Sequence, residues 1–135
     1  MHSYIKTFIP QLLAVANGER AAGAKAYMKN QFEFLGIATP ERRLICKDYM
    51  KQHVLENTGE LEVIVKELWE LPQREFQYFA IELMSYYKKQ WQPSIISLIE
   101  HCIVNKSWWD TVDFIASECT GKYFKMFLHQ IVPVT

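Results

Sequence analysis

The sequence has no long apolar run and no recognisable targeting segment. No stretch of about eighteen consecutive apolar residues occurs, so no transmembrane helix is predicted. The first six residues, Met-His-Ser-Tyr-Ile-Lys, lack the basic region and the long apolar region of a secretory signal. These absences predict a cytoplasmic protein.

Motifs for metals, phosphates and nucleophiles are also missing. The three cysteines, Cys46, Cys102 and Cys119, are odd in number, widely spaced and set among apolar residues, which favours buried free thiols over disulfides or a metal site. The four histidines show no metal-ligand spacing. No Gly-rich phosphate loop or nucleophile elbow is present. No metal or cofactor is therefore predicted.

The chain has no net charge, with 15 basic and 15 acidic residues, and this balance argues at first against nucleic acid as a partner. The charges are unevenly distributed, however. Residues 1–51 carry eight lysines or arginines and four acids, whereas residues 52–100 carry four and eight. Such segregation can leave one basic face on a neutral protein, and a phosphate backbone would respond to that face.

The apolar residues that are present recur at helical spacing, and no sustained two-residue alternation suggests strands. A chain of 135 residues is long enough for one core, so a single all-α domain over residues 1–135 is predicted. Pro10 is expected either to kink the first helix or to split it. Helices are predicted near residues 3–16, 19–31, 40–53, 60–70, 73–89, 93–104, 108–119 and 122–131.

Two of these segments carry clear buried stripes. Leu61, Ile64, Val65 and Leu68 follow the i, i+3, i+4, i+7 pattern. A second stripe consists of Phe76, Phe79, Ala80, Leu83 and Tyr87. Short polar loops between amphipathic segments favour a solenoid of stacked antiparallel helix pairs over a closed bundle.

The segment Ser-Trp-Trp-Asp-Thr-Val-Asp at 107–113 is the densest group of indoles and carboxylates in the chain. Ser107 is the predicted N-cap of a helix, and Asp110 completes a Ser-x-x-acid capping box. A core stripe is expected at Trp108, Val112, Ile115 and Cys119.

Trp109 and Asp113 would then share the flank of that helix, since residues four apart lie on one face. An indole beside a carboxylate suits a flat cationic ligand. An acid at this position would equally serve as the ion-pair partner of a nearby lysine or arginine.

Basic residues form rows on two other predicted helices. Arg43, Lys47 and Lys51 are spaced by four residues, and Lys25 and Lys29 form a shorter row. Such rows suit a phosphate backbone, but they also suit an ordinary solvated face.

Two uncharged residues add to the case for binding. Thr39 would add a hydroxyl and free N–H groups at a helix N-terminus, where anions bind well. Tyr27 can stack on a sugar or base, or can serve as a core or interface tyrosine.

Four segments resemble the AlkD-type DNA alkylation repair glycosylases, which are built from HEAT-like helical repeats. The four segments are Ala-Tyr-Met-Lys-Asn at 26–30, Phe-Leu-Gly-Ile-Ala-Thr-Pro-Glu-Arg-Arg at 34–43, Glu-Leu-Trp-Glu-Leu-Pro-Gln-Arg-Glu-Phe-Gln at 67–77, and Lys-Ser-Trp-Trp-Asp-Thr-Val-Asp at 106–113. The resemblance covers essentially the whole chain, but the chain covers little more than the N-terminal half of the family.

The resemblance implies hydrolysis of the N-glycosidic bond of a cationic alkylated purine, such as 3-methyladenine or 7-methylguanine, in double-stranded DNA. Asp113 matches the family's catalytic acid, and Trp109 matches an indole that packs against the sugar and phosphate of the lesion. Tyr27 matches an aromatic residue of the same groove, with Thr39, Arg43 and Lys47 placed toward DNA.

The chain departs from the family at its C-terminus. A further tryptophan and several arginines of the family's later repeats have no counterpart, so truncation, weaker DNA binding and self-association through an uncapped C-terminal end are expected. Two alternatives remain open at this point. One is a DNA-binding relative that does not cleave, and the other is a helical-repeat interaction scaffold.

Overall fold

The computed structural model describes residues 1–57 and 59–131, and only the backbone for 127–131. The all-α class predicted from the sequence is confirmed, and the succession of helices is consistent with a helical-repeat fold. The α-helices are α1 (Ser3–Leu13), α2 (Gly18–Tyr27), α3 (Thr39–Gln52), α4 (Gly59–Glu70), α5 (Arg74–Tyr86), α6 (Ile95–Val104), α7 (Trp109–Ile115) and α8 (Gly121–Ile131). None of the described helices is long and apolar enough to cross a membrane.

The chain forms two compact units, of which the first is Met1–Ala80 and the second begins at Ile81, inside α5. The single domain predicted over residues 1–135 stays a prediction. The predicted uncapped end, at residues 131–135, lies outside the residues whose side chains are described.

The first unit is built around aromatic side chains from α1, α3 and α5. The rings of Phe8 and Phe79 are stacked with their centroids 3.9 Å apart, and the Phe8 and Tyr49 centroids are 5.0 Å apart. The Tyr49 hydroxyl donates to the Tyr4 carbonyl at 2.6 Å. These contacts fix α3 against α1, so the opposite face of α3 is left for solvent.

The stripe predicted on α4 is confirmed, since Leu61, Ile64, Val65 and Leu68 are all buried. The stripe on α5 is confirmed in the same way, including Tyr87 just beyond the helix end. Pro10 does not split α1, which runs unbroken from Ser3 to Leu13. Pro10 lies at an exposed position of the helix. It has no N–H to donate to the carbonyl of Lys6, four residues earlier.

The second unit packs α6 against α7. Leu98, Ile99 and Cys102 of α6 are buried, as are Ile115 and Cys119. A one-turn 3-10 helix, Lys88–Gln90, follows α5, and the Trp91 indole N–H donates to the Met84 carbonyl at 3.0 Å. The three cysteines are buried thiols outside any disulfide, as predicted.

Candidate active site and nucleic-acid interface

The helix that carries Trp109 and Asp113 begins later than predicted. Its N-cap is Trp108, with extended backbone at φ −159° and ψ 165°, and no side chain caps the helix. The predicted Ser107 cap is wrong, because the Ser107 hydroxyl donates to the Ile103 carbonyl of the preceding helix. Asp110 therefore occupies the second helical position, where its carboxylate accepts from the Thr111 N–H at 2.7 Å.

The buried face of α7 also differs from the prediction. Thr111 and Ile115 are fully buried, whereas Val112 is 37 % exposed. Val112 was expected in the core stripe, and that expectation is wrong. The later helix start does not by itself explain this difference, because it leaves the angular spacing of the side chains around the helix axis unchanged. The buried face contains Thr111, three residues after Trp108, and not Val112, four residues after it.

Trp109 and Asp113 lie on the exposed face of α7. The Trp109 side chain is 52 % exposed, and Asp113 is also exposed. Among the described residues, no hydrogen bond or ion pair engages the Asp113 carboxylate. The carboxylate is one helical turn from the indole, so both can act on one ligand.

A π-helical turn, Ala116–Thr120, joins α7 directly to α8. Gly121, at the end of this turn, has helical angles of φ −61° and ψ −40° and continues the helix. Inside this turn the Glu118 carboxylate accepts from Lys122 Nζ at 3.0 Å, and Lys122 also donates to Ser85 at 2.6 Å. Single π turns are frequent at functional sites, and this one directly follows the exposed pair.

The basic row on α3 is exposed along its whole length. Thr39, Arg43, Lys47 and Lys51 follow one another at intervals of four residues, and each is exposed. The opposite face holds Arg42, Cys46, Tyr49 and Met50, all buried. We call the exposed set Thr39, Arg43, Lys47 and Lys51 the α3 stripe.

Thr39 is the first residue of α3, and Ala38 is its N-cap. Pro40 has no N–H and the Arg42 N–H donates to the Ala38 carbonyl at 2.9 Å, so Thr39 and Glu41 supply the N–H groups at this end. The negative Glu41 side chain in the same turn offsets part of the attraction for an anion. The hydroxyl of Thr39 adds one neutral donor.

Tyr27 is the last residue of α2 and its side chain is 73 % exposed. The helix ends just after it because Lys29 and Asn30 take left-handed conformations, with φ of 56° and 61°. The Asn30 N–H donates to the Lys25 carbonyl at 2.8 Å, and the Lys29 N–H to the Ala26 carbonyl at 3.0 Å. These two bonds form a Schellman motif with lysine at the position where glycine is usual.

This helix end overturns one prediction. Lys29 lies outside α2, so Lys25 and Lys29 do not form a row on one helix. Lys25 instead pairs with Glu33, with a distance of 2.8 Å between Nζ and the carboxylate.

The residues between Tyr27 and Thr39, residues 28–38, form a linking segment without helix. Gly36 has φ of +85°, and a Cβ there would lie 2.0 Å from the Asn17 carbonyl oxygen. Only glycine fits this close approach. The Asn17 N–H in turn donates to the Leu35 carbonyl at 3.0 Å. The segment is thereby held against the start of α2.

The first two residues of α5 hold the same segment from the other side. The Arg74 N–H donates to the Glu33 carbonyl at 2.9 Å, and its guanidinium carbon lies 3.7 Å from the centre of the Phe32 ring. The Glu75 carboxylate accepts from the N–H groups of Leu35 and Gly36, at 2.8 and 3.0 Å. Both side chains are buried. The motifs at 34–43 and 67–77 therefore meet in space.

Sequence reasoning missed Arg74 and Glu75 as structural residues. Charged side chains are almost never fully buried, so a pattern of apolar residues gives no sign of them. The signal that could have found them is their position in segment 67–77, which carries part of the family resemblance.

A surface groove of about 300 Å³ lies elsewhere in the first unit. It is lined by residues that include His2, Tyr49, His53 and Glu60, and it contains none of the predicted site residues. His2 and His53 stand at helix ends, as expected. Among the described residues, no group of three or more His, Cys, Asp or Glu side chains is arranged to hold a metal ion.

The predicted site residues fall into two sets. Tyr27 and the α3 stripe belong to the first unit, and Trp109 and Asp113 belong to the second. Within each set the exposure is what a contact surface requires. The α3 stripe lies along one helix face, and Trp109 and Asp113 lie along another.

The sequence matches the family model described as DNA alkylation repair enzyme over residues 8–133. The chain belongs to that family. No curated protein is significantly similar to it.

A solved structure extends the comparison to the fold. The structure of a predicted DNA alkylation repair enzyme from Enterococcus faecalis is similar to this chain, with a TM-score of 0.76 and 29 % sequence identity. The similarity covers 85 % of this chain and 54 % of the Enterococcus faecalis chain. This chain thus spans about half the length of that relative.

Proposed function

We propose that this chain hydrolyses the N-glycosidic bond of cationic alkylated purines, such as 3-methyladenine and 7-methylguanine, in double-stranded DNA. The observation that carries the proposal is the exposed pair on α7. Asp113 presents a carboxylate that no described residue engages, one turn from a half-exposed indole. Membership of a DNA alkylation repair family gives that pair its expected substrate class.

The reaction needs an ionised carboxylate near the sugar more than it needs a general acid at the base. Alkylation gives the purine a positive charge, so the bond between C1′ and the base breaks with its electron pair going to the base, which leaves neutral. Positive charge then develops on the deoxyribose, and a nearby carboxylate stabilises this oxocarbenium-like state. Water adds to C1′ and Asp113 accepts one of its protons. The products are a free base and an abasic site.

Trp109 would supply a flat apolar surface beside that carboxylate. The face of an indole attracts a cation within about 6 Å, and it also packs well against a sugar ring. Trp109 and Asp113 would together hold the cationic nucleotide from one side. This arrangement suits an open surface, and it does not need a deep cavity for a flipped base.

The α3 stripe and Tyr27 would contribute DNA binding. Arg43 and Lys47 would contact phosphates, with the Thr39 hydroxyl and the start of α3 adding neutral donors. Tyr27, exposed at the end of α2, would stack on a sugar or base. We further propose that the helices form the HEAT-like solenoid of antiparallel pairs that the family resemblance implies, in a cytoplasmic protein.

A DNA-binding relative that does not cleave is the second candidate. The observation in its favour is that the similarity covers 54 % of the Enterococcus faecalis chain, so the match does not extend over that whole chain. Such a protein would bind methylated DNA and release nothing.

The test is to incubate the full chain with duplex DNA carrying 7-methylguanine and to measure the free base by mass spectrometry. The proposal predicts release of 7-methylguanine by the wild-type chain and an abasic site in the DNA. Binding without release, at protein concentrations that saturate the DNA, would favour the non-cleaving relative. An absence of salt-dependent DNA binding would leave an interaction scaffold as the better description.

A further inference from the structure

Glu75 is a buried carboxylate that does not belong to the proposed catalytic pair. It is 3 % exposed, and its two carboxylate oxygens accept from two consecutive backbone N–H groups, those of Leu35 and Gly36. Burial of a carboxylate is costly unless hydrogen bonds compensate it, and bonds to an ionised acceptor are stronger than neutral ones. The two hydrogen bonds therefore compensate the burial of Glu75 and fix Leu35 and Gly36 against α5.

Glu75 binds the chain between two proposed DNA contacts. Leu35 and Gly36 lie in the linking segment, which runs from Tyr27 at one end to Thr39 at the other. Tyr27 and Thr39 are both exposed. A carboxylate that fixes the middle of the segment therefore fixes the path of the chain between the two proposed DNA contacts.

The position of α3 itself depends on other contacts. The Tyr49 ring packs against Phe8, and the Arg42 guanidinium lies 5.1 Å from the centre of the Tyr78 ring. Loss of the Glu75 bonds would leave these contacts in place. The expected consequence is a loosened linking segment and a loosened first turn of α3 on a folded protein.

We propose that Glu75 is a positioning residue for DNA binding, which holds the linking segment so that Tyr27 and the start of the α3 stripe contact DNA together. The inference rests on the proposed function, since it assumes that these two places touch DNA. Glu75 itself lies under the surface and does not contact the substrate.

The discriminating variant is Glu75→Gln, which keeps the shape of the side chain. A carboxamide presents one acceptor oxygen and one NH2 group, which only donates, so one of the two backbone N–H groups would face an NH2 group. Glu70→Gln is the matched control, because it removes the same charge from an exposed position on α4. Hydrogen exchange, circular dichroism, DNA binding at several salt concentrations and single-turnover base release are measured on the full chains.

The expected result has four parts. Glu75→Gln keeps the wild-type circular dichroism spectrum, and the amides of Leu35 and Gly36 exchange at least about ten times faster than in the wild type. Its Kd for methylated duplex rises about five-fold or more, while the slope of log Kd against log salt keeps its wild-type value, because Tyr27 and Thr39 are uncharged. The base-release rate at saturating protein stays within about two-fold. Glu70→Gln behaves as the wild type.

The exchange pattern separates positioning from general destabilisation, because a partly unfolded population would exchange faster at amides throughout the first unit and not only at Leu35 and Gly36. Faster exchange at Leu35 and Gly36 with wild-type Kd would overturn the positioning role. A wild-type chain that shows protected amides but no salt-dependent binding would instead overturn the proposed function, and the positioning role with it.

A second variant covers the case in which Glu75→Gln does not fold. Glu75→Asp keeps the charge and shortens the side chain by one methylene, so it retains one of the two bonds. It is expected to show an intermediate Kd. If the Leu35 and Gly36 amides of the wild type already exchange as fast as an open loop, the inference is overturned without any variant.

Discussion

Trp109 and Asp113 lie one helical turn apart on the exposed face of α7, while Thr111 and Ile115 on the other face are fully buried. The contrast means that the helix is anchored by one set of residues and presents the other. Neither exposed side chain fills the core. Substitutions at the two exposed positions should therefore separate activity from stability.

Trp109→Ala is expected to abolish or strongly reduce base release with little effect on stability. The side chain is 52 % exposed, so its removal should cost no more than about 1 kcal/mol of unfolding free energy. Trp69→Ala is the matched control, because Trp69 is 1 % exposed and its loss should cost about 3–5 kcal/mol. Urea denaturation and base release are measured on both. A loss of stability in Trp109→Ala as large as that in Trp69→Ala would show that Trp109 is a core residue, contrary to this prediction.

Arg43→Ala and Lys47→Ala should each weaken DNA binding and reduce the magnitude of the slope of log K against log salt by about one. The reason is that each removes one proposed phosphate contact from the α3 stripe. Lys66→Ala is the control, since Lys66 is an exposed cation on α4 that pairs with Glu62 at 2.9 Å. Fluorescence titration at four salt concentrations measures the effect. Wild-type slopes in all three variants would identify the α3 stripe as a solvated face.

Tyr27→Ala should weaken DNA binding, and Tyr27→Phe should retain most of it. Stacking of an aromatic ring on a base contributes about 1–3 kcal/mol, and the phenyl ring keeps the stacking surface. The Kd of each variant for the same duplex is measured at one salt concentration. If both variants bind as weakly as each other, the hydroxyl is the contact and stacking is the wrong interpretation.

Alkaline pH should destabilise the fold. Burial raises the pKa of the Cys119 thiol from its ordinary 9.0 to about 12, with smaller effects from Lys122, which lowers it, and Glu118, which raises it. Burial also raises the pKa of Tyr49 above its ordinary 10.0. The folded protein holds these protons more tightly than the unfolded chain does. This stabilisation is therefore complete below about pH 9 and is lost as the pH rises toward about 12.

Urea midpoints at pH 7.5, 9 and 10.5 test this expectation, which predicts a falling midpoint above pH 9. Cys119→Ser removes one of these two groups with a raised pKa, so its midpoint should fall less steeply over the same range. A midpoint that is constant or rises with pH would contradict the burial of these protons.

Helical periodicity predicted most of the fold. The stripes on α4 and α5 were correct because burial of a continuous apolar face stabilises each helix more than local sequence effects do. Local signals at helix ends were less reliable. Gly121 continues a helix through a π turn, and Ser107 bonds backward to α6 instead of capping α7. In both places tertiary packing overrides a preference worth about 1 kcal/mol.

The residues that anchor the candidate site were harder to predict than the exposed ones. Val112 has the spacing of a core residue, but the core line of α7 runs through Thr111. The buried Arg74 side chain packs on a ring, and the buried Glu75 carboxylate accepts from backbone N–H groups. Both partners lie in a segment about 40 residues earlier in the sequence. No local pattern encodes such a pairing. The spacing of Trp109 and Asp113 was readable, but only the structure shows that both are exposed.

The most direct test of the central claim is the single-turnover rate of 7-methylguanine release by the wild type, by Asp113→Asn and by Glu100→Gln. Glu100 is an exposed acid of α6, so its variant removes the same charge from the same unit. Asp113→Asn is expected to bind methylated duplex like the wild type and to release the base at least about 100 times more slowly. Glu100→Gln should match the wild type. Release by Asp113→Asn at the wild-type rate would contradict the assignment of Asp113 as the carboxylate that stabilises the transition state.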